Sequence, residues 1–179
     1  MLRFKVILGL LCSLLLSAVP ARAYDAADLE NADAYYNDHS YQLALTEYEK
    51  FRSAKASEDL TREVSFKWAD SVVKAKDPSR QEEAQKSLED LVASKVHDRW
   101  WAEAGVTLAV GYIERDPYGK QAEIKTMLDN ARDYWAGSPQ VELARERFIA
   151  ISFTLADFVT TRWGWYGGDI KPLRLGREK

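Results

Sequence analysis

Apolar residues recur every three or four positions along most of the chain, and no segment alternates apolar and polar residues as a half-buried strand would. Glycine and proline interrupt this pattern at residues 77–79, 116–119 and 137–139, which are therefore predicted to be loops. The pattern predicts an all-α protein of about seven helices, paired as short antiparallel hairpins. The first three are expected at about residues 26–37, 40–54 and 60–75, the sixth at 120–135, and the fourth, fifth and seventh after the capping residues Ser79, Asp98 and Ser138.

The seventh helix has the longest amphipathic pattern in the chain. Its predicted inward stripe consists of Val141, Ala144, Phe148, Ile151, Leu155 and Phe158. Residues 163–179 follow, and their glycines together with Pro172 predict an extended tail rather than another helix. Two roles are open for the aromatic residues at the start of this tail. They either close the end of the helix stack or dock onto a partner or a following domain, as Trp and Tyr often do at binding hot spots. They are Trp163, Trp165 and Tyr166.

The first 23 residues have the three-part organisation of a secretory signal peptide. Arg3 and Lys5 precede an apolar run over residues 6–19, and Ala21 and Ala23 occupy the small positions of a cleavage site. The alternative is an N-terminal membrane anchor, but this run has 14 residues and a spanning helix needs about 20. We therefore predict an exported protein, periplasmic or secreted, with a helical domain over residues 24–162 and no membrane attachment after cleavage.

Composition narrows the chemistry that the exported chain can perform. Loss of the first 23 residues removes the only cysteine, Cys12, and lowers the formal net charge from −3 to −6. A mildly acidic surface does not favour nucleic acid or anionic lipid as a partner. The two histidines, His39 and His97, have no second ligand at metal-binding spacing, and the sequence contains no nucleophile elbow or phosphate-binding loop. No catalytic, metal or cofactor site is predicted.

Small and aromatic residues near the N-terminus are spaced as in a known helical repeat. The sequence reads Ala32-x-x-Tyr35 and then Tyr41-x-x-Ala44-x-x-x-Tyr48. This resembles the tetratricopeptide repeat, in which small residues lie where two helices cross closely and aromatic residues fill the space beside them. The resemblance implies helix pairs stacked into an α-solenoid.

The later helix pairs match that repeat less well. Ala32, Ala69 and Ala109 take equivalent positions and are 37 and 40 residues apart, whereas the usual period is about 34. The array is therefore expected to be degenerate, with longer loops, and a non-repetitive helical bundle is the alternative.

The tetratricopeptide resemblance also implies where a partner would bind. In such arrays the first helix of each pair lines a concave groove that holds a protein or peptide. By position, the exposed groove candidates are Asp33, Tyr36, Asn37, Glu63, Asp70, Glu103 and Glu114. An acidic, aromatic groove of this kind would favour a basic or extended peptide.

A second resemblance covers most of the chain. Residues 133–148 (DYWAGSPQVELARERF) and the opening residues 24–29 (YDAADL) are similar to the N-terminal helical region of bacterial alpha-2-macroglobulin-like proteins. Some of those larger proteins trap proteases through a thioester, which the cysteine-free exported chain could not form. The sequence thus leaves three functions open: an interaction module, the N-terminal portion of a larger envelope-defence protein, and an enzyme with an unrecognised site.

Overall fold

The computed structural model describes residues 23–163, and the side chains of residues 23–160. Every regular element in that range is helical, which confirms the predicted all-α class. A 3₁₀ turn, Ala26–Leu29, precedes the first α-helix, and a π-helical turn, Phe158–Trp163, continues the last one. The seven α-helices are α1 (Glu30–Asn37), α2 (Tyr41–Glu49), α3 (Glu58–Ala75), α4 (Gln81–Ala93), α5 (Arg99–Arg115), α6 (Gln121–Ala136) and α7 (Val141–Asp157).

Helices that are neighbours in sequence pack against each other from α1 to α7, and α3 also contacts α5. Polar contacts join α1 to α3, α3 to α5, and α5 to α7. We call α1, α3, α5 and α7 the odd helices. These contacts place the odd helices next to one another in chain order, from α1 to α7.

The hydrophobic core consists of two clusters that meet at α5. The first lies among α1 to α5 and includes the fully buried side chains of Tyr48 and Trp68. The second lies among α5, α6 and α7 and includes those of Trp135 and Phe158. Each large apolar side chain that is buried in this way contributes about 1.5–3 kcal/mol to folding, so the two clusters dominate stability.

The aromatic residues of the first helix pair pack as a set, although one of them differs from the repeat pattern. Tyr36 makes edge-on contacts with Tyr41 and Tyr48 at centroid distances of 5.8 and 6.3 Å. The motif places Tyr35 in this role, yet Tyr35 is 37% exposed. One residue along a helix is a rotation of about 100°, so Tyr36, four residues after the buried Ala32, shares its face and Tyr35 does not.

Two predicted helix caps and one predicted helix end need correction. Helix α2 ends at Glu49 rather than near Ala54, because the chain tightens there into turns with Phe51 bonded to the Tyr48 carbonyl. Ser79 does not cap α4: its amide and hydroxyl both bond to Asp77 instead. Ser138 does not cap α7 either: that helix begins after Gln140 and has no side-chain cap. Asp98 caps α5 as predicted, accepting from the Trp101 amide at 2.8 Å.

The described N-terminal segment packs against the connection between α2 and α3. Tyr24 is 6% exposed, its ring lies 5.2 Å from that of Phe51, and its amide donates to the Lys55 carbonyl at 3.0 Å. Asp25 forms a capping box with Asp28 that starts the 3₁₀ turn. The same turn inserts Leu29, which is 1% exposed, into the first cluster.

Candidate interaction groove

A groove of about 530 Å³ opens between the C-terminal halves of α3 and α5. Tyr36 on α1 and Arg147 on α7 border it on the side where the odd helices meet, and Gln81 and Gln85 on α4 border its other end. Its apolar lining includes Val73, Val106 and Val110.

Asp70 connects three of the odd helices beneath this groove. Its side chain is almost fully enclosed, with the residue only 2% exposed. It accepts from the Tyr36 hydroxyl on α1 at 2.5 Å and from the Thr107 hydroxyl on α5 at 2.9 Å. Lys74, one turn further along α3, supplies the compensating charge at 2.7 Å. Burial raises the pKa of Tyr36, and the Asp70 charge raises it further, so the phenol remains a donor.

Asp33 connects α1, α2 and α3 in a similar way. It accepts from the Tyr48 hydroxyl and from Lys67 Nζ, the latter at 2.8 Å. Lys67 also pairs with Glu63 at 2.5 Å and is only 12% exposed in its side chain. Burial raises the pKa of Tyr48, and its hydrogen bond to Asp33 raises it further.

Among the described residues, one ion pair connects α5 to α7. Glu103 Oε2 lies 2.8 Å from an Arg147 guanidinium nitrogen, and the side chain of Glu103 is 8% exposed whereas that of Arg147 is 42% exposed. Burial raises the pKa of Glu103, and the Arg147 charge opposes that rise.

The structure separates the predicted groove residues into three groups. Tyr36, Asp70, Glu103 and Glu114 all line the groove. Asp33 and Glu63 belong instead to the cluster around Lys67, and Asn37 is exposed at the end of α1.

The prediction that Asp70 and Glu103 are exposed is wrong, since they are 2% and 6% exposed. The odd helices approach closely enough to enclose carboxylates on the faces that they share. The prediction of an acidic groove also needs correction, because Lys74 and Arg147 neutralise these two carboxylates.

Sequence reasoning missed the cations and the hydroxyl that complete these clusters. Two of the ion pairs had a signal, because Glu63 and Lys67, like Asp70 and Lys74, are four residues apart on one helix. The contact between Asp70 and Thr107 had none, since 37 residues separate them.

The consecutive tryptophans, Trp100 and Trp101, and the two histidines do not line the groove. Trp100 is buried against Phe66 at 5.7 Å, whereas Trp101 stacks on His97 at 4.3 Å and donates to the Val92 carbonyl. Trp101 therefore packs over the loop between α4 and α5 and does not line the groove. His39, like His97, is exposed.

Among residues 23–163, no three His, Cys, Asp or Glu side chains are grouped so that they could hold a metal ion. Within the same range, no helix is both long and apolar enough to cross a bilayer. Of the predicted docking aromatics, Trp165 and Tyr166 lie outside the described residues, as does the side chain of Trp163.

No protein-family model, curated protein or solved structure matches this chain.

Proposed function

We propose that this protein is an exported, non-catalytic interaction module that binds an extended segment of a partner protein in the groove between α3 and α5. The observation that supports this most strongly is the buried Asp70 cluster, which ties α1, α3 and α5 together directly beneath the groove. Export is supported by the signal-peptide pattern of residues 1–23.

The polar clusters favour binding because they hold the groove in one shape before a partner arrives. A surface that is ordered in advance loses less conformational entropy on association, which increases affinity. The odd helices of a stacked array also present a continuous surface of the kind that extended segments follow.

The exposed groups of the groove define the chemistry of the partner. Val106 is half-buried and Val110 is 38% exposed, so an aliphatic side chain would find apolar contacts there. Glu114, one turn further along α5, is exposed and forms no hydrogen bond or ion pair with any described residue. A partner segment with an aliphatic residue followed by Lys or Arg complements this arrangement.

The groove chemistry suits a scaffold better than a catalyst. The carboxylates of Asp70 and Glu103 are already held by cations, and Asp70 also accepts from two hydroxyls. The exposed histidines, the usual general bases, lie in turns outside the groove lining.

Selection from a random peptide display library tests this proposal. Retained peptides should be enriched in an aliphatic residue followed by Lys or Arg, and their affinity can be measured by titration calorimetry. Val110→Glu and Glu114→Lys should each weaken binding by about tenfold, equivalent to roughly 1.4 kcal/mol. The control Glu82→Lys makes the same charge change at an exposed position on α4 that does not line the groove.

The groove variants are chosen to leave the scaffold intact. Replacement of Tyr36 and Asp70 would disrupt the buried cluster. A loss of binding could then not be distinguished from a loss of folding. Peptides that bind Val110→Glu and the unaltered protein equally well would place the binding site elsewhere.

A further inference from the structure

One side of α7 carries exposed apolar residues. Ile151 and Leu155 point from this helix into the second cluster. The opposite side has no neighbouring helix among the described residues, and there Ile149 is 45% exposed and Phe153 is 73% exposed. Two large apolar side chains that are exposed next to each other on a helix are typical of a contact surface.

These two residues belong to a regular row of exposed positions. Arg145, Ile149, Phe153 and Asp157 are spaced by four residues, and all four are exposed. Positions four apart follow one another along a ridge of the helix surface. We call this row the α7 ridge. It has a basic end, an apolar middle and an acidic end over about 18 Å of helix.

We propose that the α7 ridge forms a dimer interface with the same ridge of a second copy of this chain. In an interface with two-fold symmetry, each contact between two positions occurs twice, once in each direction. Two antiparallel ridges related in this way place Arg145 beside the partner's Asp157 at both ends. They place Ile149 beside the partner's Phe153 in the middle.

Both kinds of contact form in a single register. The pair Arg145 and Asp157 and the pair Ile149 and Phe153 have the same midpoint, at position 151. A two-fold axis that passes the helix at this level therefore matches opposite charges at the ends and apolar groups in the middle. The ridge supplies both members of every pair, which is why a second copy complements it.

The arrangement is compatible with ordinary helix packing. Ridges of positions four apart interdigitate at a crossing angle of about 50°, which is the commonest class of helix pair. The same two-fold axis places Glu146 at the level of the partner's Ala156 and Glu142 at the level of the partner's Thr160. No like charges are therefore opposed beside the ridge.

The proposed interface lies away from the groove. Arg147, which borders the groove, points about 160° from Ile149 around α7. A dimer through the α7 ridge would thus leave both grooves open, and the inference does not depend on the function of the groove. One helix from each copy makes a small interface, so we expect a reversible dimer with a Kd of about 10 μM.

Sedimentation equilibrium of the purified protein tests whether the ridge holds a dimer. Phe153→Asp should weaken dimerisation by about a hundredfold, because it places a carboxylate in the apolar middle of the interface twice. The matched control is Leu43→Asp, which makes the same change at a 51% exposed position on α2 and should leave the Kd unchanged. A monomeric unaltered protein at about 500 μM, fifty times the expected Kd, would overturn the proposal. Equal Kd values for the two variants would overturn it as well.

Charge reversal tests the register. Arg145→Asp and Asp157→Arg each place like charges opposite one another at both ends of the interface, so each variant alone should dimerise about tenfold more weakly. In a mixture of the two variants, opposite charges meet at both ends of the mixed dimer.

Native mass spectrometry of ¹⁵N-labelled Arg145→Asp with unlabelled Asp157→Arg identifies that mixed dimer by mass. We expect it to predominate over both dimers of identical chains, which also shows that the two variants are folded. A statistical mixture of the three dimers, or no mixed dimer at all, would overturn the proposed pairing.

Discussion

The two ends of the helix stack are built differently. At the N-terminal end, Asp33 and Asp70 join the odd helices through partly buried hydrogen bonds, and Tyr24 packs against Phe51. At the C-terminal end, one ion pair among the described residues links α5 to α7, between Glu103 and Arg147. The second cluster also contains the Trp135 indole N–H, which is buried and has no hydrogen-bond partner among the described residues.

The two ends of the helix stack are therefore held together by different kinds of contact. Within the first five helices, the carboxylates of Asp33 and Asp70 are paired with groups of α1 to α5, whereas Glu103 on α5 is paired with Arg147 on α7. The α7 helix continues the stacking, and one of its sides has no neighbouring helix among the described residues. Three substitutions test this contrast, beginning with the largest expected effect.

Asp70→Ala should destabilise the protein most. It leaves the half-buried hydroxyls of Tyr36 and Thr107 without their acceptor and leaves Lys74 without its counter-charge. We expect a loss of about 4 kcal/mol in the free energy of unfolding, measured by urea denaturation. The control Asp129→Ala breaks pairs with Lys125 and Arg132 that are more exposed, and should cost less than about 1 kcal/mol. Similar losses in both variants would show that the Asp70 cluster does not stabilise the stack.

Helical periodicity predicts the positions of most helices but not which of their side chains are exposed to solvent. The predicted spans of α3 and α6 agree closely with the structure, because their apolar stripes and flanking loops are clear. On α7 the predicted inward stripe includes Val141 and Phe148, which are 73% and 38% exposed. A period gives the direction of a side chain around its helix, whereas burial depends on how many neighbouring helices are present.

The candidate site was predictable only in outline. The repeat resemblance pointed to the odd helices, and four of its seven candidates line the groove. Whether a carboxylate on these helices can contact a ligand or is buried in a structural hydrogen bond depends on residues that are distant in the sequence. Asp70 has a structural role because the hydroxyls of Tyr36 and Thr107, which are 34 and 37 residues away, donate hydrogen bonds to it.

Tyr24→Ala tests the packing of the N-terminal segment and should have the second-largest effect on the free energy of unfolding. Removal of a buried aromatic ring from its contact with Phe51 should cost about 3 kcal/mol in urea denaturation. Tyr24→Phe removes only the 3.3 Å hydrogen bond to the Leu60 carbonyl and should cost about 0.5–1 kcal/mol. If Tyr24→Ala costs no more than Tyr24→Phe, the segment does not seal the first cluster.

Glu103→Gln tests the ion pair between α5 and α7. It should have the smallest effect on the free energy of unfolding, and that effect should be visible mainly in how the free energy changes with pH. Burial raises the pKa of Glu103 above its unfolded value, with Asp70 adding to the rise and Arg147, Arg99 and Lys74 opposing it. Between the unfolded and folded pKa values, the folded state therefore binds more protons than the unfolded state.

Stability conferred by Glu103 is consequently greatest below its unfolded pKa and declines as the pH rises through its folded pKa. The Gln variant lacks this decline, so its stability relative to the unaltered protein should increase with pH over that window. Arg147 is 42% exposed and remains solvated in the variant, which keeps the comparison free of a newly buried charge. Urea denaturation at a series of pH values above 4 measures the difference. A constant difference over the series would mean that Arg147 fully compensates the burial of Glu103, and that α7 is attached by a balanced ion pair like those at the other end of the stack.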